Sequence, residues 1–307
     1  MAKAAYLHTG FNLNRLTMKK TILSILSFSL LLAACSAPEN SESTEEMAET
    51  APSLDKAWET DTTLITPESV IYDAQNDILY VSCIGAIPPD AKDGDGYIAK
   101  VSLDGKILEN KWVTGMNGPK GMALSGDTLF VTDIDQLVAI NTQDGSIISK
   151  TPVEGSSFLN DAATDTNGDI LFTGTNSNTL FKSAGGKISA VVQDSLIGGL
   201  NGVYVDGDTK VLAGFGSGNI YTLKEGTLTL VADSLFGGDG VEKYGEGFMI
   251  SNWNGEVYYV DSEWNKTKLL DTKDVKENAA DIEVIADKNL MLVPAFLANK
   301  VVAYTIK

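Results

Sequence analysis

The sequence predicts an all-β chain built as a six-bladed β-propeller, and three observations carry that expectation. From Asp55 onward there is no long helical pattern, only short apolar or alternating runs parted by Gly, Asn and Asp turns. One stretch recurs: Val192 to Val203 reads VQDSLIGGLNGV, and Val231 to Val241 reads VADSLFGGDGV, one residue shorter. Corresponding unit starts fall at Glu68, Lys120, Asn160, Asn201, Asp239 and Asp281, spaced 52, 40, 41, 38 and 42 residues apart. A period near ~40 residues with about four strands per unit marks propeller blades.

The first element is a leader. Met18-Lys19-Lys20 is a short basic start, and Thr21 to Leu32 is an apolar run of signal-peptide length, too short to span a bilayer comfortably. Leu32-Ala33-Ala34 then sets small residues before Cys35. This order resembles the bacterial lipobox, which implies cleavage before Cys35 and lipidation of its thiol. An ordinary secretory signal or an uncleaved anchor is the alternative. Residues 1–34 are therefore expected to be a signal peptide starting at Met18. Residues 35–54, rich in Ser, Glu, Ala and Pro, are expected to be an acidic disordered tether, and residues 55–307 the propeller. The implied location is the bacterial cell envelope, with the propeller outside the cytoplasm and held to a membrane only through Cys35.

The blades follow in order. Ile78 to Ser82, Thr128 to Thr132, Ile170 to Thr173, Val211 to Phe215 and Met291 to Pro294 are apolar runs at one phase of the repeat. Asn167-Gly168-Asp169, Asp206-Gly207-Asp208 and Lys224-Glu225-Gly226 are turns between strands. The long first spacing reflects an insertion, Gly85 to Gly96, in blade one. The sixth unit, Asp281 to Lys307, has room for about three strands. Lys56 to Thr63 is expected to supply the missing outer strand, closing the ring and removing an open sheet edge.

Composition limits the chemistry. Hydrophobic residues make up 43% of the 307, enough for a sizeable core. The single histidine, His8, lies in the leader. A mature chain without it has no Ser-His-Asp triad, no Cys-His pair, no imidazole zinc site and no histidine base. Once Cys35 carries lipid, Cys83 has no partner thiol and reads as a small apolar strand residue. The net charge of −18 becomes −22 when the leader leaves, because it takes Lys3, Arg15, Lys19 and Lys20 and no acids. Such a field disfavours nucleic acid and anionic lipid and favours cations. A monomer acting on a small molecule is expected.

In a propeller the innermost strand of each blade lines the central channel, so its first residues lie at one mouth. Here those positions hold Glu68, Lys120, Asn160, Asn201, Asp239 and Asp281. Oxygen donors converging on an axis are what a hard cation needs, and calcium takes 6–8 of them without histidine. The alternative is that Asn and Asp serve as turn residues at blade entries. Gly202 and Gly240 follow Asn201 and Asp239 directly, and Gly-Gly pairs precede both, which suits tight turning.

Pro67-Glu68-Ser69, Leu159-Asn160-Asp161, Leu200-Asn201-Gly202 and Gly238-Asp239-Gly240, in that order and spacing, resemble the regucalcin/gluconolactonase-like family of six-bladed propellers. More loosely, the chain resembles squid-type phosphotriesterases and paraoxonases. The resemblance covers residues 55–307. It implies one divalent cation, calcium, held by Glu68, Asn201 and Asp239, with Asn160 as ligand or substrate contact. The implied activity is a metal-dependent lactonase or esterase, in which the ion polarises a carbonyl and Asp239 activates water. Asp281 and Asp161 are the next candidates for the base, and Asp281 is also a candidate substrate contact.

Two departures stand out. Paraoxonases use a histidine dyad that the mature chain lacks. Sugar lactonases often carry an arginine where Phe158 stands here, two residues before the blade-three Asn. Lys120 is the candidate positive contact, or else a solvated turn lysine. Ile84 to Gly96 is a candidate lid, and Asp93-Gly94-Asp95-Gly96 within it reads as a solvated turn rather than a calcium loop. Phe158 and Trp253 are candidate substrate contacts; Phe215, Trp253 and Phe296 are candidate walls of an apolar pocket, or else simply pack blade against blade. The alternative function is a non-catalytic ligand- or protein-binding propeller lipoprotein.

Overall fold

The computed structural model describes residues 51–307, so the leader, Cys35 and most of the tether lie outside the described residues. Six four-stranded antiparallel sheets form the blades. Blades one to five are each four consecutive strands. Blade one, for example, runs through Pro67–Asp73, Ile78–Cys83, Gly96–Val101 and Ile107–Met116. Blade six is assembled from both ends of the described chain, in the order Leu54–Glu59, Lys300–Ile306, Leu290–Ala295 and Glu283–Ile285. Leu54 pairs with Ile306 and Glu59 with Val302. Ser53 and Lys307 exchange backbone hydrogen bonds of 2.9 Å. The closing strand begins at Leu54, and that pairing covers the edge that Lys300–Ile306 would otherwise present to solvent.

Strand burial explains the sequence pattern. The second strands are packed on both faces, as in Ile170–Gly174 and Gly247–Asn252, where every residue is buried. They therefore read as unbroken apolar runs rather than alternating ones. The outermost strands face water, and Ile147–Pro152 is exposed almost throughout. The core lies between blades. Tyr80 and Ile98 of blade one, for example, pack against Met122, Leu129 and Val131 of blade two. Cys83 is fully buried in its strand, and burial pushes its thiol up to about 12, so it is inert packing.

Topology sorts the loops onto two ends. Inner strands start at one end, called the mouth, and second strands return to it. Loops between second and third strands, and loops leading into each inner strand, therefore all lie on the mouth side. The blade-one loop between Cys83 and Gly96 is the longest of them. It is pinned by Asp95, whose Oδ2 accepts from the Ala86 amide at 2.9 Å, while Asp93 accepts from the Asp95 amide. The acidic stretch is thus a self-bonded turn. The closing strand runs toward the mouth, so the described chain enters the propeller at the opposite end.

Candidate active site at the propeller mouth

The site arises from a break repeated in every inner strand. In blades two to five the pairing with the second strand skips two residues after the first: Pro119 to Met122, Leu159 to Ala162, Leu200 to Val203 and Gly238 to Val241. Blade one breaks between Pro67 and Ser69. Blade six matches, with the Ala280 amide bonded to Pro294 and pairing resumed at Glu283. These are bulges, which turn side chains out of the ladder. Glu68, Lys120, Asn160, Asn201, Asp239 and Asp281 are all the first bulged residue of their blade.

A bulge strands backbone groups, and hydroxyls on the second strands satisfy them. Ser82 accepts from the Ser69 amide at 3.0 Å, and Thr173 accepts from the Asp161 amide at 2.9 Å. Ser251 accepts from the Gly240 amide at 2.9 Å and donates to the Ala280 carbonyl at 2.7 Å. Thr132 donates to the Asn160 carbonyl. The sequence reading missed these four residues. Their signal was a Ser or Thr at one phase of otherwise apolar runs: YVS, FVT, LFT and MIS.

Gly202 and Gly240 do not turn the chain. A Cβ on Gly202 would lie 2.0 Å from the Asp239 carbonyl oxygen, and one on Gly240 would lie 2.4 Å from the Ile282 nitrogen. Both are glycine because neighbouring inner strands converge there. The turning is done earlier, by Gly198, Gly199 and Gly237 at positive φ.

Five of the six bulge residues, Glu68, Lys120, Asn160, Asn201 and Asp239, line one cavity of about 730 Å³. Its walls include Phe158, Phe215, Trp253 and Phe296, joined by Ile84, Ile87, Pro88 and Pro89 of the blade-one loop and by Leu297. Trp253 meets Phe296 edge-on at 5.8 Å. The sequence reading had not singled out Leu297 or Thr175, which also line the cavity. Asp281 is placed differently from the expectation at the substrate mouth. Its Oδ2 accepts from Ser69 Oγ at 2.6 Å, and it lines a second cavity of about 330 Å³ together with Asp161, Glu242 and Glu283. Asp161 accepts from the Val203 amide at 2.6 Å and is hydrogen-bonded to Asp281. Neither Asp161 nor Asp281 lines the mouth cavity.

Electrostatics at the cavity floor are short of positive charge. Burial pushes the Glu68 carboxyl up to about 8, opposed by Lys120 and reinforced by Asp281. Burial, then Glu68 and Asp281, hold Asp239 well above the usual carboxylate range. Lys120 is 1% exposed, not a solvated turn residue. Its ammonium donates to the carbonyls of Pro89 at 3.1 Å and Gly118 at 3.0 Å and lies 4.5 Å from the centre of the Phe158 ring. Burial lowers its pKa against the pull of Glu68.

Asn201 Nδ2 donates to Asp239 Oδ1 at 3.1 Å. Glu68 Oε2, Asn160 Oδ1 and Asn201 Oδ1 are buried acceptors without any protein partner. Buried oxygens left this way are costly unless a ligand meets them. Among the described residues no cluster of three His, Cys, Asp or Glu side chains is placed to hold a metal. The mouth set of two carboxylates and two amide oxygens nonetheless fits a hard, oxygen-seeking cation.

Fold and floor together define a six-bladed propeller with an oxygen-lined, apolar-walled mouth. No family model matches the chain, and no curated protein matches it. Among solved structures, virginiamycin B lyase from Staphylococcus aureus is similar at 14% identity and a TM-score of 0.61, covering 83% of this chain and 99% of that one. A catalytically inactive histidine variant of that lyase with quinupristin aligns at 13% identity and a TM-score of 0.59, with 83% and 99% coverage. The β-propeller domain of Myceliophteria thermophila Cps50 (Swd1) aligns at 11% identity and a TM-score of 0.61, covering 83% and 100%. At these identities the likeness is one of fold.

Proposed function

We propose that the protein is a metal-dependent hydrolase, a lactonase or esterase acting at the propeller mouth. The observation that carries this reading is the trio of partnerless buried oxygens on Glu68, Asn160 and Asn201 around the same cavity as Asp239. These four residues would hold a divalent cation, calcium by the chemistry of the donors. When bound, such an ion supplies Lewis-acid polarisation of a carbonyl oxygen.

The chain's own residues do the rest. Asn201 fixes one oxygen of Asp239, leaving Oδ2 to take a proton from attacking water. The water oxygen bonds to the carbonyl carbon and the ring or ester C–O bond breaks. The proton held on Asp239 passes to the leaving alkoxide, giving an alcohol and a carboxylic acid that ionises in solvent. Lys120 spends two of its three protons on Pro89 and Gly118, leaving one for an oxygen of the substrate. The walls exclude water.

Support from the lyase neighbour is limited to its being a propeller with a small molecule bound. The only histidine of this chain, His8, lies outside the described residues. The second reading, a binding propeller without turnover, is favoured by Phe158, which puts an aromatic ring where a sugar lactonase would offer an arginine. Hydrolysis of a panel of γ- and δ-lactones and aryl esters, with and without a chelator, separates the two. Chelator-sensitive turnover abolished in Asp239→Asn supports the hydrolase, and absence of any turnover supports the binder. We also propose lipid anchoring through Cys35 in the cell envelope. The described chain enters the propeller at the end opposite the mouth, which suits such an anchor.

A further inference from the structure

The two ends of the propeller differ in a way that folding does not require. Twelve large apolar side chains are left exposed among the described residues. Seven of them, including Ile87, Phe215, Phe236 and Leu297, sit in mouth-side loops contributed by several blades. The other five lie on outermost strands, and none lies in the turns of the opposite end. Those turns carry Asp, Asn and Gly, as at Asp104-Gly105 and Asn167-Gly168. Water meets both ends alike, so an apolar rim on one of them marks a place where apolar surface is meant to be covered.

The rim continues into the cavity. Ile87 is 65% exposed and Leu297 54% exposed, yet both also line the cavity wall. Polar groups sit almost entirely at the floor. On the walls only Thr175, Asn176 and the indole N–H of Trp253 offer hydrogen bonds, and the Asn176 amide is already donated to Ser157. A polyhydroxylated substrate would lose the water on its hydroxyls and find few partners, at a cost for each. The described residues also contain no arginine to grip a sugar or phosphate.

We infer that the substrate is a lactone or ester bearing a long alkyl or aryl group, with its carbonyl at the floor and its apolar part against the wall and rim. The carbonyl half of this inference rests on the hydrolase reading, and the apolar half rests on the rim and walls alone.

The test is a matched series: γ-butyrolactone, γ-octalactone, γ-dodecalactone and D-glucono-δ-lactone, with calorimetric binding of the non-hydrolysable twelve-carbon lactam. The expected result is a rise in kcat/KM of at least about tenfold from the four- to the twelve-carbon lactone, since each buried methylene is worth a few-fold. Leu297→Asn and Phe215→Ser should shrink that ratio several-fold. Equal or better turnover of butyrolactone or the sugar lactone would overturn the inference while leaving the hydrolase reading intact. No turnover of any lactone, with the lactam still bound, would overturn the hydrolase reading and keep the apolar ligand class. Neither turnover nor lactam binding would overturn both.

Discussion

Asn201 and Asp239, on the inner strands of adjacent blades, are joined by an amide-to-carboxylate hydrogen bond of 3.1 Å from Asn201 Nδ2, and the oxygen of that amide, Oδ1, is buried without a partner. One contact thus orients the candidate base while leaving a buried acceptor beside it in the same cavity. If a cation fills this floor, as proposed, its absence should be measurable.

Removing a carboxylate from the floor should make the cation-free protein more stable. Glu68 is buried, is pushed up to about 8 and has one oxygen unpartnered. Glu68→Gln should raise the Tm of chelated protein while removing the stabilisation that calcium gives the parent, about 2.7 kcal/mol at a hundredfold excess over Kd. Thermal unfolding with and without calcium checks both signs.

Convergence of the inner strands should be intolerant of a methyl group. Gly202→Ala places a Cβ 2.0 Å from the Asp239 carbonyl oxygen. The strands must part, costing about 1–3 kcal/mol and displacing Asp239. Denaturant unfolding should show the loss, and activity should fall further than stability alone explains. Gly226→Ala meets open space but sits at φ +77°, so it should cost only the roughly 1–2 kcal/mol of a left-handed alanine and leave turnover intact.

The hydroxyls beneath the bulges should matter more than their distance from substrate suggests. Ser251→Ala leaves the Gly240 amide and the Ala280 carbonyl without their partner. The expected loss is about 1–3 kcal/mol, because the stranded groups are buried. Ser251→Thr, which keeps the hydroxyl, should restore most of it.

A separate cluster sets an acid-side limit on stability. Burial would raise Glu256, but bonds from Lys273, Asn252 and Lys268 outweigh it and hold its carboxyl down to about 2, from 4.5. A depressed folded-state pKa gives stability that is complete above about 4.5 and is lost as pH falls toward 2. With both lysines nearly half exposed, roughly 1–2 kcal/mol is expected after screening. Glu256→Gln should therefore be less stable than the parent at pH 7, with the gap closing as pH falls below 4.5 and vanishing only near pH 2.

Much of this was legible in the sequence because the propeller repeats itself. Six starts at a period near forty gave the blades, and the short sixth unit gave the closing strand. Bulge residues were found because all six occupy one phase. Phase alone could not say into which cavity each residue opens. Asp281 shares the phase of Asp239, yet Ser69 and Asp161 hold it in the second cavity. The role of Gly202 was also hidden, since a turn and a close approach both call for glycine. The supporting hydroxyls of Ser82, Thr132, Thr173 and Ser251 were invisible as a set, because a Ser or Thr in an apolar run has no evident partner until two strands are laid together. Pattern alone left Lys120 open between a site contact and a solvated turn lysine, because its partners, the carbonyls of Pro89 and Gly118, leave no trace in side-chain pattern.

The central claim is that the mouth floor is a cation site. Calorimetric titration of calcium into chelated protein, run in parallel on Glu68→Gln, tests it most directly. The account predicts one ion bound per chain in the parent and loss of that site in the variant, with diffuse binding to the acidic surface unchanged. Many weak sites in both proteins, with no difference between them, would contradict it.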